Sequence, residues 1–273
     1  MTVAGRFSRF ARLGRLAAWA VALAVVGSTV AGAVEASRLM PESPTGLGAA
    51  SPADALSRPT VPLAHSCHRA PVLVGTVVVP RVVARHDPSP GARAVATFGL
   101  VNPQGAVQVF DLQWLVLGRD GARWYRALLP IRPNGTTGYV PASAVRVAET
   151  SYRIVVDARR LRLTLWKGCR RIRTYPIGLG KESTPTPIGH FYLISLLRPP
   201  TPDSAYGPFA YGLSAYSDAI TDWAGGGVIG LHGTNDPTSI GKRVSHGCIR
   251  MRNQDIEHLV PILPLGTPVD ITD

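Results

Sequence analysis

The stretch Lys242-Arg243-Val244-Ser245-His246-Gly247-Cys248-Ile249-Arg250-Met251 decides how the rest of the chain is read. A hydroxyl at Ser245, an imidazole at His246 and a thiol at Cys248 are crowded together with Gly247 between ring and thiol, and a second His-Gly pair, His232-Gly233, lies 16 positions upstream of Cys248. This is the composition of a thiol nucleophile site. The thiolate is the attacking species, a free Cys has a pKa of about 8.5, and a neighbouring imidazole lowers that toward neutrality. Gly247 lets a substrate carbonyl approach the backbone, so that main-chain N–H groups around Cys248 can stabilise an oxyanion. Most isolated cysteines are small buried hydrophobes, so Cys248 stands out only through the residues around it.

Those residues carry a resemblance. Ile229-Gly230-Leu231-His232-Gly233-Thr234, followed after a polar loop by Ser245-His246-Gly247-Cys248-Ile249-Arg250, resembles the signature of the L,D-transpeptidases, bacterial enzymes that cross-link peptidoglycan. The resemblance runs on through Thr184-Pro185-Thr186-Pro187-Ile188-Gly189 and Leu265-Gly266-Thr267-Pro268-Val269, covering about residues 152 to 272 with the motifs in the family's order. It implies a mainly β chain whose catalytic part is an L,D-transpeptidase-type β-sandwich with one short helix. It also implies Cys248 as nucleophile and His232 as proton acceptor and donor. The residues alone leave the two histidines in competition, because in an extended strand His246 and Cys248 point to the same side. With His232 as base, His246 is assigned to shaping the pocket and stabilising the thiolate. Gly233 is assigned to orienting His232 through its carbonyl, and Ser245 to supporting that network. Arg250 sits where the family commonly carries Asn or Arg; its guanidinium either binds a substrate carboxylate bidentately or holds the loop through an ion pair. Tyr211, Thr234 and Asn235 complete the candidate substrate contacts.

The reaction that the resemblance implies is acyl transfer in two steps. Cys248 attacks the carbonyl of the third residue of a stem tetrapeptide, D-alanine leaves with a proton from His232, and an amine from a neighbouring stem resolves the thioester. The expected partners are peptidoglycan stem peptides as donor and acceptor within the cell-wall polymer, and no cofactor or metal is required. Two other readings compete: hydrolysis of the thioester, making an L,D-carboxypeptidase, and a non-catalytic wall-binding protein. A zinc site from His232, His246 and Cys248 lacks C-x-x-C or H-E-x-x-H spacing, and the S-x-x-K motif of penicillin-type transpeptidases is absent.

Composition places the protein. Arg6, Arg9, Arg12 and Arg15 precede the uncharged 19-residue run Leu16 to Val34, which reads as an export signal, with Val34-Glu35-Ala36 as a cleavage site, or as a membrane anchor. The expected location is the cell envelope, with membrane contact only through this segment. Without residues 1–36 the net charge falls from +12 to +9, still basic. Arg outnumbers Lys 26 to 3 with no basic run interleaved with aromatics, so the charge reads as affinity for an anionic envelope polymer or as a solvated surface, not nucleic-acid binding. Three cysteines leave at least one thiol free. If that thiol is Cys248, Cys67 and Cys169 are the possible internal pair.

Along the chain, residues 37–66 are a Pro/Ser/Ala-rich linker. Residues 67–148 show short β-branched or aromatic runs between turns, at 72–79, 107–110, 113–117, 124–129 and 137–140, which argue a small barrel. The tail from Trp124 to Val140, with its Asn134-Gly135 turn, is similar to the end of bacterial SH3-like domains, often found before transpeptidase domains. Trp114, Trp124, Tyr125 and Tyr139 form either its core or a wall-binding groove. Beyond Tyr152, strands are expected at 153–157, 161–166 and 171–177, the last two joined by a hairpin that leaves Cys169 at an exposed tip. Gly178-Leu179-Gly180-Lys181 lacks phosphate-loop spacing. Residues 198–228, rich in Pro and Gly, read as a substrate lid with Tyr206, Phe209, Tyr211 and Tyr216 along it. One helix starts at Asn253 as its N-cap, and a last strand covers Val269 to Ile271.

Overall fold

Strands account for nearly all of the regular structure among the described residues. The computed structural model describes residues 71–221 and 226–273; the expected signal or anchor (1–36), the linker (37–66) and Cys67 lie outside the described residues. The described part belongs to one compact unit and contains two large sheets. No helix among the described residues is long and apolar enough to cross a membrane.

The first sheet holds β1 (Val72–Val77), β2 (Val82–Arg85), β3 (Ala94–Phe98), β4 (Val109–Leu117), β5 (Arg123–Leu128), β6 (Thr137–Pro141) and β7 (Val145–Thr150), in the order β3-β2-β6-β5-β4-β1-β7. The expected runs at 107–110 and 113–117 are one strand, β4, whose register against β5 shifts between Leu112 and Trp114. That irregularity is what interrupts the alternation in the sequence. Strands β2, β3 and β7 were not expected from the sequence; β2 and β3 are short, and β7 is exposed at four of its six positions, so none carries a sustained apolar alternation. Val82, Ala84, Phe110, Leu112, Ala127 and Val140 form this sheet's core. Trp124 is 3% exposed and so belongs to the interior, while Trp114 is 46% exposed beneath the guanidinium of Arg126.

The second part holds β8 (Tyr152–Asp157), β9 (Arg162–Lys167), β10 (Arg170–Pro176), β11 (Leu179–Gly180), β12 (Gly189–Leu197), β13 (Ala210–Tyr216), β14 (Val228–His232), β15 (Arg243–Ser245), β16 (Ile249–Arg250), the helix α1 (Asn253–Leu259) and β17 (Pro268–Thr272). Eight of these strands form a sheet in the order β10-β9-β8-β17-β12-β13-β14-β16, and β11 pairs with β15 alongside. The last strand therefore inserts at the centre, parallel to β8 and antiparallel to β12. Alternation explains the inward face: Ile154 and Val156, Leu163 and Leu165, and Val269 and Ile271 are two apart in their strands and 0% exposed. Each such side chain contributes about 1.5–3 kcal/mol relative to an exposed one.

Two expectations change here. The segment 198–228 is not continuous loop, because β13 crosses it with Tyr211, Leu213 and Ala215 buried; the Pro and Gly at both ends concealed a central strand. The helix has Arg252, not Asn253, at its N-cap position, with no side-chain cap. The hairpin tip at Gly168-Cys169 is as expected, with Gly168 at φ +54° and Cys169 exposed. Cys169 is disulfide-bonded, and Cys248 is the free cysteine among the described residues.

The two sheets share a contact layer. Val74, Val109 and Leu128 pack against Tyr192 and Ile194, and the Tyr192 hydroxyl donates toward the carbonyls of Val109 (3.3 Å) and Leu128 (3.1 Å). At one edge His190 is clamped between two carboxylates, Asp111 of the first sheet at 2.7 Å and Asp270 of the second at 2.5 Å.

Candidate active site

Cys248 and His232 come to the same glycine, Gly230, because β14 and β16 are adjacent and parallel, with Leu231 opposite Ile249 and His232 opposite Arg250. Apolar residues at 229, 231 and 249 face the core and are at most 1% exposed, which fixes the register and brings Gly230 beside the thiol. The Gly230 N–H donates to Cys248 Sγ at 3.3 Å. A Cβ added at Gly230 would lie 3.3 Å from Cδ2 of His232 and 3.5 Å from Sγ of Cys248, so both groups abut the same glycine. Its hydrogen side keeps the space between imidazole and thiol open.

His232 is 3% exposed, and its Nδ1 donates to the Gly233 carbonyl at 2.5 Å. That bond leaves Nε2 as the basic nitrogen. Burial pushes the His232 pKa down to about 4, against the upward pull of the Gly233 carbonyl and with a further downward push from Arg250. Burial pushes the Cys248 thiol up, opposed by the Gly230 N–H and by Arg250. The resting pair is therefore a neutral thiol beside a neutral imidazole, not the preformed thiolate that the sequence pattern suggested.

The loop that presents Cys248 is built by the remaining motif residues. Ser245 is 1% exposed; its Oγ donates to the Cys248 carbonyl at 2.6 Å and accepts from the Gly247 N–H at 3.2 Å. The chain bends at 246–247 with Gly247 at φ +114°. His246 and Cys248 are therefore not neighbours along one strand face, and His246 is exposed on the bend. The Thr184–Gly189 tract clamps the loop from the other side: Thr184 Oγ1 donates to the Ser245 carbonyl at 3.2 Å and Thr186 Oγ1 to the Gly247 carbonyl at 2.8 Å. With the Gly247 amide engaged by Ser245, oxyanion stabilisation narrows toward the other amides of this turn.

The candidate substrate contacts separate. Tyr211 belongs to the core, 1% exposed with its hydroxyl donating to the Leu263 carbonyl at 3.2 Å, so the expectation that it lines the lid is corrected. Burial raises its phenol to about 12. Thr234 is buried and its Oγ1 accepts from the Asp236 N–H at 3.1 Å, which shapes the loop; Asn235 is exposed. Arg250 lies 3.9 Å from Asp236, at the outer limit of an ion pair, and its Nε is buried without a hydrogen-bond partner among the described residues.

Three residues stand at the site without having been among its sequence candidates. Gly230 has been described. Tyr206 had been placed only along the lid; its ring packs edge-on against His232, centroids 4.9 Å apart, and its phenol is raised by burial and by the nearby Cys248. Asn253, expected only to cap a helix, accepts from the Thr234 N–H at 2.8 Å. Tyr206 had the signal of an aromatic in a Pro/Gly-rich segment and Asn253 that of a helix start, but neither signal pointed to His232.

A family profile described as the L,D-transpeptidase catalytic domain (YkuD) matches residues 151–271. YkuD of Bacillus licheniformis, which carries the L,D-transpeptidase name, is 39% identical over 154 residues, covering 54% of this chain and 86% of that protein. The Bacillus subtilis (strain 168) protein of the same name is 46% identical over 152 residues, covering 53% and 84%. YqjB of that strain, also named for L,D-transpeptidase, is 34% identical over 130 residues, covering 44% and 70%.

Proposed function

The chain belongs to the L,D-transpeptidase family, and we infer that it is a peptidoglycan L,D-transpeptidase in which Cys248 is the acylated nucleophile and His232 the general base and acid. The observation that carries the residue assignment is the pair abutting Gly230, with His232 Nδ1 committed to the Gly233 carbonyl. In the proposed first step His232 Nε2 takes the thiol proton as Sγ forms a bond to the donor carbonyl. Collapse of the tetrahedral species expels D-alanine, which leaves with that proton. An acceptor amine then attacks the thioester, gives its proton to His232 and restores the thiol. The Gly230 N–H on Sγ supports negative charge as it develops there.

Arg250 suits a substrate carboxylate. Its side chain is partly exposed and its contact with Asp236 is long, and a carboxylate can meet its terminal guanidinium nitrogens bidentately. We read the first sheet, β1 to β7, as an SH3-like module; the closely spaced short strands and the Asn134-Gly135 turn support this. The N-terminal sequence supports export to the cell envelope, cleaved or anchored.

The test is covalent capture. Full-length protein incubated with a carbapenem should gain one adduct by intact-protein mass spectrometry, and Cys248→Ala should lose it while keeping its circular dichroism spectrum. An adduct that survives the substitution removes the nucleophile assignment. With tetrapeptide donor and saturating stem acceptor, cross-linked dimer is the expected product; tripeptide alone would make the protein a carboxypeptidase.

A further inference from the structure

We propose that Asn253 is a positioning residue for His232, acting through the Gly233–Thr234 peptide group; the proposal rests on the Cys248–His232 reading above. The two ends of that single peptide are held by different side chains. Its carbonyl accepts from His232 Nδ1 at 2.5 Å, and its N–H donates to Asn253 Oδ1 at 2.8 Å. A peptide group is planar, with C=O and N–H pointing in opposite directions, so clamping the N–H sets the direction in which the carbonyl meets the ring. Without the acceptor at 253 the N–H of Thr234, a residue 4% exposed, loses its partner. A buried donor left unpaired is costly, and the loop relieves that cost by turning the peptide. The carbonyl that fixes the Nδ1–H tautomer turns with it.

The packing around Oδ1 points the same way. A Cβ at Gly233 would lie 2.5 Å from Asn253 Oδ1, and a Cβ at Gly207 of the lid would collide with the same oxygen and lie 2.7 Å from Gly233 Cα. Gly207 also has φ +62°, a conformation suited to glycine. Lid, histidine loop and the first residue of α1 therefore converge on one oxygen atom. That atom is held in place because Ile256 and Leu259 anchor α1 in the core at 0% exposure.

An amide serves here where a carboxylate would not. The groups facing His232 are Cys248 and Arg250 from the β16 side and Tyr206 from the lid. None carries negative charge while the thiol is protonated. Asn253 thus supplies an acceptor without adding a charge that would protonate the base. Asn253→Asp keeps the acceptor and adds the charge, so it separates positioning from electrostatics, while Asn253→Ala removes both acceptor and bulk.

The experiment uses the full-length protein and a carbapenem. Acylation rate against pH and carbapenem concentration is followed by stopped flow, Tm is measured, and the His232 tautomer is read by nitrogen-15 NMR. Asn253→Ala is expected to lower the limiting acylation rate by about 10- to 100-fold, the scale of a misplaced catalytic group. Half-saturation and Tm should stay near wild type, and the ring should populate the Nε2–H tautomer. Asn253→Asp is expected to recover most of the rate near pH 7 and to move the acid limb upward from that of wild type. The proposal is overturned if Asn253→Ala keeps the wild-type rate and Nδ1–H tautomer. It is equally overturned if the lost rate tracks a fall in Tm and Asn253→Asp restores nothing. A wild-type protein that is not acylated would instead refute the proposed function, and the tautomer measurement would still decide the role of Asn253.

Discussion

Replacing His232 with Asn should flatten the acid side of the stability profile. The buried imidazole has a pKa of about 4, whereas in the unfolded chain it titrates near about 6.5. The unfolded state therefore binds the proton first as pH falls. Stability is unaffected above the unfolded value and is lost between about 6.5 and about 4. Linkage with these two values gives a loss of about 2 kcal/mol at pH 5 and about 3 kcal/mol at pH 4. Asn cannot titrate, and its amide can still donate to the Gly233 carbonyl, so His232→Asn should lack this component. Urea unfolding of both proteins at intervals from pH 7.5 to 4 isolates it, because the other carboxylates and histidines cancel in the difference. A neutral resting pair also requires Cys248 alkylation by iodoacetamide to rise in one step above the ordinary thiol pKa, with no plateau at lower pH. Parallel stability profiles would mean that the imidazole titrates in the folded protein as it does unfolded, and an alkylation plateau between pH 5 and 8 would mean a thiolate beside a charged imidazole; either result would refute the reasoning.

Two further perturbations test different parts of the fold. Gly230→Ala adds a methyl 3.3 Å from the His232 ring and 3.5 Å from the thiol, so the ring must give by a few tenths of an ångström while the thiol is met at ordinary contact; carbapenem acylation should fall by about 10-fold with Tm little changed, and an unaltered rate would mean that the ring's place is not critical. At His190 burial works to lower the pKa, but hydrogen bonds and charge from Asp111 and Asp270 outweigh it and raise the value to about 9. The clamp should then stabilise fully below about 6.5 and be lost as pH rises through about 9. His190→Gln should remove that alkaline component of unfolding, by an amount moderated by solvent because the ring is 40% exposed; identical alkaline slopes in the two proteins would remove the clamp.

The site was legible where chemistry is written in residue type and order, and obscure where it depends on tertiary placement. Cys248 could be named from the thiol, imidazole and glycine crowded around it, whereas the choice of His232 over His246 and the orienting carbonyl of Gly233 came from the resemblance to the family's motifs, since residue type and spacing left the two histidines in competition. Strands β8, β9 and β17 followed from period-two alternation of Ile, Val and Leu. What failed did so for identifiable reasons. Asn253 looked like a helix cap because it precedes an apolar helical pattern, yet its oxygen is spent on the Thr234 amide. Tyr211 looked like a lid aromatic because Pro and Gly surround it, but it lies on β13, where an inward position buried it. Gly230 carries no side-chain signal at all, and its role comes from a strand pairing that no local pattern announces.

The first sheet matters to the proposed catalytic residues through one hairpin. Strand β13 runs into β14, which ends at His232, and the connection between them is gripped by the loop that precedes β6. Arg132 donates to the carbonyls of Ser217 (2.7 Å), Ile220 (3.2 Å) and Gly226 (3.1 Å) while stacking over Tyr216 at 5.0 Å. Asn134 both donates to the Tyr216 carbonyl at 2.8 Å and accepts from its N–H at 2.9 Å, and the Tyr216 hydroxyl donates to the Pro130 carbonyl at 2.8 Å. A guanidinium that satisfies carbonyls from both described ends of this connection ties the end of β13 to the start of β14 where Gly226 and Gly227, both at positive φ, contribute little stiffness. The strand that carries Gly230 and His232 is thus braced at its entry by the first sheet and at its exit by Asn253. A thiol and an imidazole that must stay neutral and within reach of each other need both supports, since misplacement of about 1 Å costs about 100-fold in rate.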